Sequence, residues 1–208
     1  VERVLYRLSQ SNYSEKFILK GASLFLIWMG KSYRVTRDAD FLGSGPADPE
    51  HLAEVFRDVI NILPTVNDGL IFDPNSINAV PIREDQVYDG VRVTFTGLLH
   101  TARIPVQIDV GFGDSVVPAP ELVEFPSILG QPAAQLQAYT RYTMVAEKTD
   151  AMIRLGVINS RMKDFYDIWL MSGIFDFDGN LLQDSMMSTF MRRETGTPEK
   201  LPIVFTEE

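Results

Sequence analysis

Asp38 and Asp40 stand two residues apart in the run Asp38-Ala39-Asp40-Phe41-Leu42. On a strand such a pair projects from one face. Like charges that close repel unless a cation lies between them. Mg²⁺ suits the position, because it takes hard oxygen ligands and keeps places open for substrate phosphates; Mn²⁺ has the same taste. The bland alternative is pairing with Arg34 and Arg37. Asp109 is the natural third acid. In Ile104-Pro105-Val106-Gln107-Ile108-Asp109-Val110 the apolar residues alternate onto one face, and Gln107 and Asp109 share the other. A strand beside the first would bring Asp109 to the same cluster. Three carboxylates can hold two metal ions, one activating an attacking oxygen and one steadying a triphosphate. Otherwise Asp109 is a strand-end acid before Gly111-Phe112-Gly113.

Lys20, Gly21 and Ser23 fall where an apolar strand gives way to a helix. Glycine lets backbone approach a phosphate, and a helix start offers free N–H groups and a positive dipole end. The spacing is not that of a P-loop. A plain strand-to-helix turn is the competing reading. Further on, Lys148 interrupts an apolar helical stripe of Met144, Ala151 and Leu155, so it needs an anion: a bound phosphate, Glu147 or Asp150. Asp164 and Asp167 lie three apart on one helix side. One could orient Lys148 and the other could pair with Lys163 or Arg161, with Phe165, Ile168 and Trp169 as the packed face.

The elements that must position these residues follow from periodicity. Glu2–Leu8 reads as an amphipathic helix end and Phe17–Leu19 as a strand. A helix opens at Gly21 and runs through Trp28, capped by Gly30. Val35–Leu42 reads as a strand. Asp48 and Pro49 start a helix to about Ile62 as N-cap and N1. Leu70–Phe72, Asn78–Ile82, Val91–Leu98 and Arg103–Val110 read as strands, with Asp89-Gly90 as a turn. From Gln135 the pattern turns helical through Leu155, then again over Arg161–Met171 and Asp184–Met191. The expectation is an α/β core over 1–125 and a helical part over 126–208.

The chain has 208 residues, no Cys and 45% hydrophobic residues, enough for a core. Absence of Cys excludes disulfides and thiolate zinc sites. His51 and His100 lack metal-ligand spacing. No run reaches 18 apolar residues and no signal-peptide pattern is evident, so the expected location is the cytoplasm, away from membrane. The net charge of −9 argues against nonspecific coating of nucleic acid. The charge is uneven. Lys16 to Arg37 holds five bases and no acid, Gly45 to Phe125 thirteen acids against four bases, and Arg141 to Lys163 five bases against two acids. The motif-bearing segments are therefore locally basic, as a polyphosphate or RNA end would require, although each base alone reads as a solvated face.

Five segments in order resemble the AbiEii/AbiGii toxin family of nucleotidyltransferases. They are Phe17-Ile18-Leu19-Lys20-Gly21-Ala22-Ser23, Arg34-x-Thr36-Arg37-Asp38-Ala39-Asp40-Phe41, Gln107-Ile108-Asp109-Val110-Gly111-Phe112-Gly113-Asp114, Ala146-Glu147-Lys148-x-x-Ala151 and Arg161-x-Lys163-Asp164-Phe165-Tyr166-Asp167. The later Thr189-Phe190-x-x-Arg193-x-Thr195 also fits. Ala22 departs from the pattern, where a second glycine is common. The resemblance implies an α+β, polymerase-β-like nucleotidyltransferase fold: a mixed sheet flanked by helices, then a helical C-terminal part. It implies transfer of an NMP from an NTP to an acceptor such as the tRNA 3′ end or a protein, with Mg²⁺ or Mn²⁺, and neutralisation by a cognate antitoxin. By position it gives Asp38 and Asp40 the metal, Lys148 the nucleotide phosphates, Asp164 or Asp167 the completion of the catalytic set, and Ser23, with Lys20 and Gly21, the terminal phosphates. It supports Asp109 as third acid more weakly. The competing readings are a phosphotransferase on the same fold and a catalytically silent nucleotide- or partner-binding protein.

Overall fold

The computed structural model describes residues 1–31, 38–84, 88–128, 130–156, 162–200, 202 and 205–206. It divides into two compact units: 1–113 with 121–138, and 114–120 with 139–208. Among the described residues no helix is long and apolar enough to cross a membrane.

The first unit is a seven-stranded mixed sheet. In chain order its strands are β1 (Phe17–Lys20), β2 (Asp38–Gly43), β3 (Leu70–Glu84), β4 (Tyr88–Leu99), β5 (Ala102–Phe112), β6 (Glu121–Phe125) and β7 (Ala134–Ala138). Across the sheet they run β3-β4-β5-β2-β1-β7-β6. β2 pairs parallel to β5, and β1 parallel to β7; the remaining neighbours are antiparallel. Helices α1 (Glu2–Ser9), α2 (Leu24–Met29) and α3 (Pro49–Asn61) complete the unit. Strict alternation builds the core. Val91, Val93, Phe95, Val106, Ile108 and Val110 are buried, whereas Arg92, Thr94, Gln107 and Asp109 between them are half-exposed. Phe17 packs edge-on against Phe41 and tilted against Phe56 of α3, at centroid distances of 5.8 and 5.5 Å. Val4, Leu5 and Leu8 of α1 are buried, as its pattern predicts. Asp48 caps α3 by accepting from the N–H groups of Glu50 and His51, and Pro49 sits in its first turn. Gly30 ends α2 at φ 67°.

The second unit holds α4 (Arg141–Leu155), α5 (Met162–Ile174) and α6 (Gly179–Arg192). Thr140 caps α4 through Thr143 N–H, and Asp178 caps α6.

Five expectations need correction. Asp89-Gly90 is no turn: both residues lie in β4, opposite Arg83 and Ile82. Leu70–Phe72 and Asn78–Ile82 are one strand with a bulge between Asp73 and Asn78. Gln135 does not open a helix, because Ala134, Leu136 and Ala138 alternate into the core as β7; α4 starts six residues later. Gly21 opens a 3-10 turn over Gly21–Ser23, and α2 proper starts at Leu24. In α5 the buried residues are Asp164, Asp167 and Met171, while Trp169 is 69% exposed. That helix turns its acids inward and its tryptophan out. Residues 35–37, expected to begin the second strand, lie outside the described residues, as do Arg34 and Arg161.

Candidate functional site

Sheet register sets the first group. Lys20 is the partner of Asp40, Asp40 of Asp109, and Asp109 of Arg92. Partners on adjacent strands share a face about 4.8 Å apart. The row therefore reads base, acid, acid, base across four strands. The next row reads Asp38, Gln107, Thr94. Asp38 and Asp40 share one face of β2, as the two-residue spacing predicts, and the parallel β2–β5 pairing delivers Asp109 to it.

The turn after β1 is built around Asp40. Gly21 has φ 76°, a left-handed backbone that favours glycine. A Cβ there would drive into the Asp40 carboxylate, Oδ2 first. The glycine thus serves the acid directly, not only the turn. Ser23 is buried, and its hydroxyl donates to the Lys20 carbonyl at 3.3 Å. Lys20 is buried as well.

Asp109 is held from the β4 side. Arg92 Nε donates to Oδ1 at 2.8 Å and Nη2 to Oδ2 at 2.7 Å, a two-point fork. Gln107 Nε2 donates to Oδ2 at 3.3 Å. The Asp109 hydrogen bonds raise the Arg92 pKa above its ordinary value; partial burial opposes this, and the charges of Asp109, Asp38 and Asp40 add to it. Sequence reading passed over Arg92. The signal was present in Arg92-x-Thr94-x-Thr96, a polar stripe between buried apolar residues. Beside Asp38 a groove of about 370 Å³ is lined in part by Ser76, Thr94, Thr96 and Gln107.

The second unit carries its own cluster. Lys148 Nζ lies 2.7 Å from Asp164 Oδ1 and 2.8 Å from Asp167 Oδ2. Both acids are essentially fully buried. Lys148 thus turns to the acids of α5, whereas Glu147 and Asp150 turn to Arg193. Its guanidinium reaches Asp114 at 2.9 Å, Asp150 at 3.1 Å and Glu147 at 3.5 Å. Thr195 and Arg154 also bond Asp150, and Tyr139 donates to Glu147 at 2.9 Å. Burial disfavours the charge on Arg193, but Glu147, Asp114 and Asp150 more than offset it and raise its pKa. Burial, aided by Glu147 and Asp114, pushes Tyr139 well above its ordinary value, so its hydroxyl keeps its proton.

The acids on neighbouring strands beside a glycine turn, and the lysine bound to two buried aspartates, fall in the segments that carry the resemblance. The profile of the nucleotidyl transferase AbiEii toxin family, type IV toxin–antitoxin system, matches residues 3–208. The chain belongs to the AbiEii family. It is a nucleotidyltransferase by that membership. Two crystal structures share the fold. JHP933 from Helicobacter pylori aligns with TM-score 0.55 at 12% identity, over 91% of this chain and 75% of its own. A candidate nucleotidyltransferase from H. pylori aligns with TM-score 0.53 at 12% identity, over 91% and 77%. No curated protein sequence matches. At such identity the likeness speaks for the fold, and the AbiEii profile for the family.

The donor set can be tested against a divalent metal, which nucleotidyl transfer in this family implies. Two carboxylates on one strand face, with room cleared by Gly21, fit an ion that takes one or two carboxylates and completes its shell with phosphate oxygens and water. Among the described residues no three acids or histidines are gathered so that together they could hold an ion. The resting arrangement fits a two-carboxylate site.

Proposed function

We propose that this AbiEii chain moves an NMP from an NTP to the 3′ end of tRNA, with Mg²⁺ or Mn²⁺, and that a cognate antitoxin restrains it in the cytoplasm. The observation that carries the metal and nucleotide reading is the fit of Gly21 against the Asp40 carboxylate. It couples a turn suited to phosphate to an acid suited to metal. The RNA acceptor and the antitoxin rest on the family alone.

In this reading Asp38 and Asp40 hold the metal, which when bound would neutralise charge on the triphosphate and the leaving pyrophosphate. Asp109 is the third acid. The turn at Lys20, Gly21 and Ser23 steadies the terminal phosphates. Lys148, aimed by Asp164 and Asp167, takes by the resemblance the role of a cation for the nucleotide phosphates. As the acceptor oxygen bonds to the α-phosphorus, the bond to the bridging oxygen breaks and pyrophosphate leaves. Such a transfer needs alignment and charge neutralisation more than covalent help.

The test is incubation with Mg²⁺, each α-³²P-labelled NTP in turn and total bacterial tRNA, with Asp40→Asn beside the wild type. Label in tRNA for the wild type alone is the expected result and names the base. Label absent from tRNA but present in protein would move the acceptor to a polypeptide. Label reaching the acceptor from γ-³²P-labelled NTP in a parallel incubation would overturn nucleotidyl transfer.

A further inference from the structure

Asp109 is the register partner of Asp40, yet the three acids do not form a three-ligand set. Arg92 gives the reason. One guanidinium occupies both oxygens of Asp109, at 2.8 and 2.7 Å. The Asp109 side chain is 12% exposed and that of Arg92 40%, so the fork faces solvent at its cationic end. Gln107 braces the carboxylate from the neighbouring position on β5. The charges of Asp38 and Asp40 also act on the Arg92 guanidinium.

We propose that Arg92 is the resident counter-cation of Asp109, a positioning residue that competes with the metal for that acid. Asp109 joins Asp38 and Asp40 when Arg92 releases it. The exchange rests on the metal reading above. A singly charged guanidinium leaves one carboxylate for water as a dication arrives among three, so the cluster ends with one more unit of positive charge. The guanidinium end of the pair is open to water, so the competitor raises the metal concentration required without barring the site. The arrangement keeps a cluster of acids from trapping stray cations while it waits for nucleotide.

The experiment is a Mn²⁺ titration of nucleotide-free protein, with free aquo-ion followed by electron paramagnetic resonance. Arg92→Gln is expected to bind Mn²⁺ about tenfold more tightly than wild type, within the usual span of coupling between two ligands. Arg92→Lys, which keeps the charge but not the fork, should fall between them. Adding Asp109→Asn to Arg92→Gln should return the affinity to the wild-type value. Equal or weaker binding in Arg92→Gln would overturn the exchange, as would a gain that survives Asp109→Asn, since that reports only the change in net charge. Mn²⁺ binding unaffected by Asp40→Asn would sink the metal reading itself. Thermal midpoints verify folding, and Arg92→Lys carries the test should Arg92→Gln unfold.

Discussion

Helix α4 carries two buried ion clusters a few residues apart, and they are built differently. At Lys148 one flexible ammonium serves two acids of α5. At Arg193 a rigid fork at the end of α6 gathers Asp114, Glu147 and Asp150. Asp150 has Thr195 on one oxygen and Arg193 and Arg154 on the other. The second cluster ties three stretches of chain together through a side chain that cannot reorient without breaking several bonds. The first ties two helices through a point charge on a four-carbon stem, 12% exposed. A lysine so placed can hand part of its hydrogen bonding to an incoming phosphate, whereas a buried arginine fork is committed. Burial of charge alone therefore does not mark function. The distinguishing feature is a cation that can let go.

Removing the cation should break the fixed cluster hardest. Arg193→Leu leaves Asp114, Glu147 and Asp150 without their shared cation, a loss of about 3–5 kcal/mol for a broken buried pair. Urea unfolding followed by circular dichroism would measure it; a loss under 1 kcal/mol would show the network to be decorative. Lys148→Arg sharpens the contrast from the other side. It preserves charge for Asp164 and Asp167, so stability should change by less than about 1.5 kcal/mol. Transfer should fall by about 100-fold, the scale for losing a well-aimed donor to a reacting phosphate or oxyanion. Retained kcat in that variant would place Lys148 among structural ion pairs, beside Arg193.

A third buried pair, in the sheet unit, inverts the ratio: one acid among two bases. Asp68 accepts from Arg7 at 2.8 and 3.2 Å and from Arg3 at 2.9 Å. Burial alone would raise its pKa, but these bonds, with the Leu70 N–H, lower it to about 2. A depressed carboxyl pKa stabilises the fold above the unfolded-state value near 3.8, and that stability is lost as pH falls toward about 2. The contribution is about 2 kcal/mol at neutral pH, from about 1.4 kcal/mol per unit. Asp68→Asn should lower stability at pH 7 and flatten its decline between pH 4 and 2. An unchanged slope would mean that another acid carries it.

What could be read in the sequence was whatever depended on short spacing. Asp38 and Asp40 fell on one face, Gln107 and Asp109 on another, and Lys148 stood out because it broke an apolar stripe. Its need for an anion was legible, and one of Asp164 and Asp167 was read as orienting it; that both face it was not, because they come from the next helix, whose roll about its axis no spacing reveals. Arg92 was hidden for a similar reason. Its polar stripe is plain, but its pairing with Asp109 depends on β4–β5 register. β7 was misread because Ala, Gln and Leu favour helix and five residues give alternation little weight. It is held between β6 and β1, and β1 lies more than a hundred residues upstream, so contacts beyond the segment decide its local state.

The smallest expected stability effect tests the site most directly, because the protein holds its own control. Gly21 and Gly30 have nearly the same left-handed φ, 76° and 67°. A Cβ at Gly30 would meet nothing within 4 Å, whereas one at Gly21 meets the Asp40 carboxylate. Gly30→Ala should therefore cost about 1 kcal/mol for backbone strain alone and leave transfer intact. Gly21→Ala carries the same strain and must also displace Asp40. Its melting point should fall only slightly further, since the carboxylate can swing, but its Mn²⁺ affinity and transfer rate should collapse together. If Gly21→Ala behaves like Gly30→Ala in both assays, the turn is only a turn, and the link between phosphate-binding backbone and metal-binding acid dissolves.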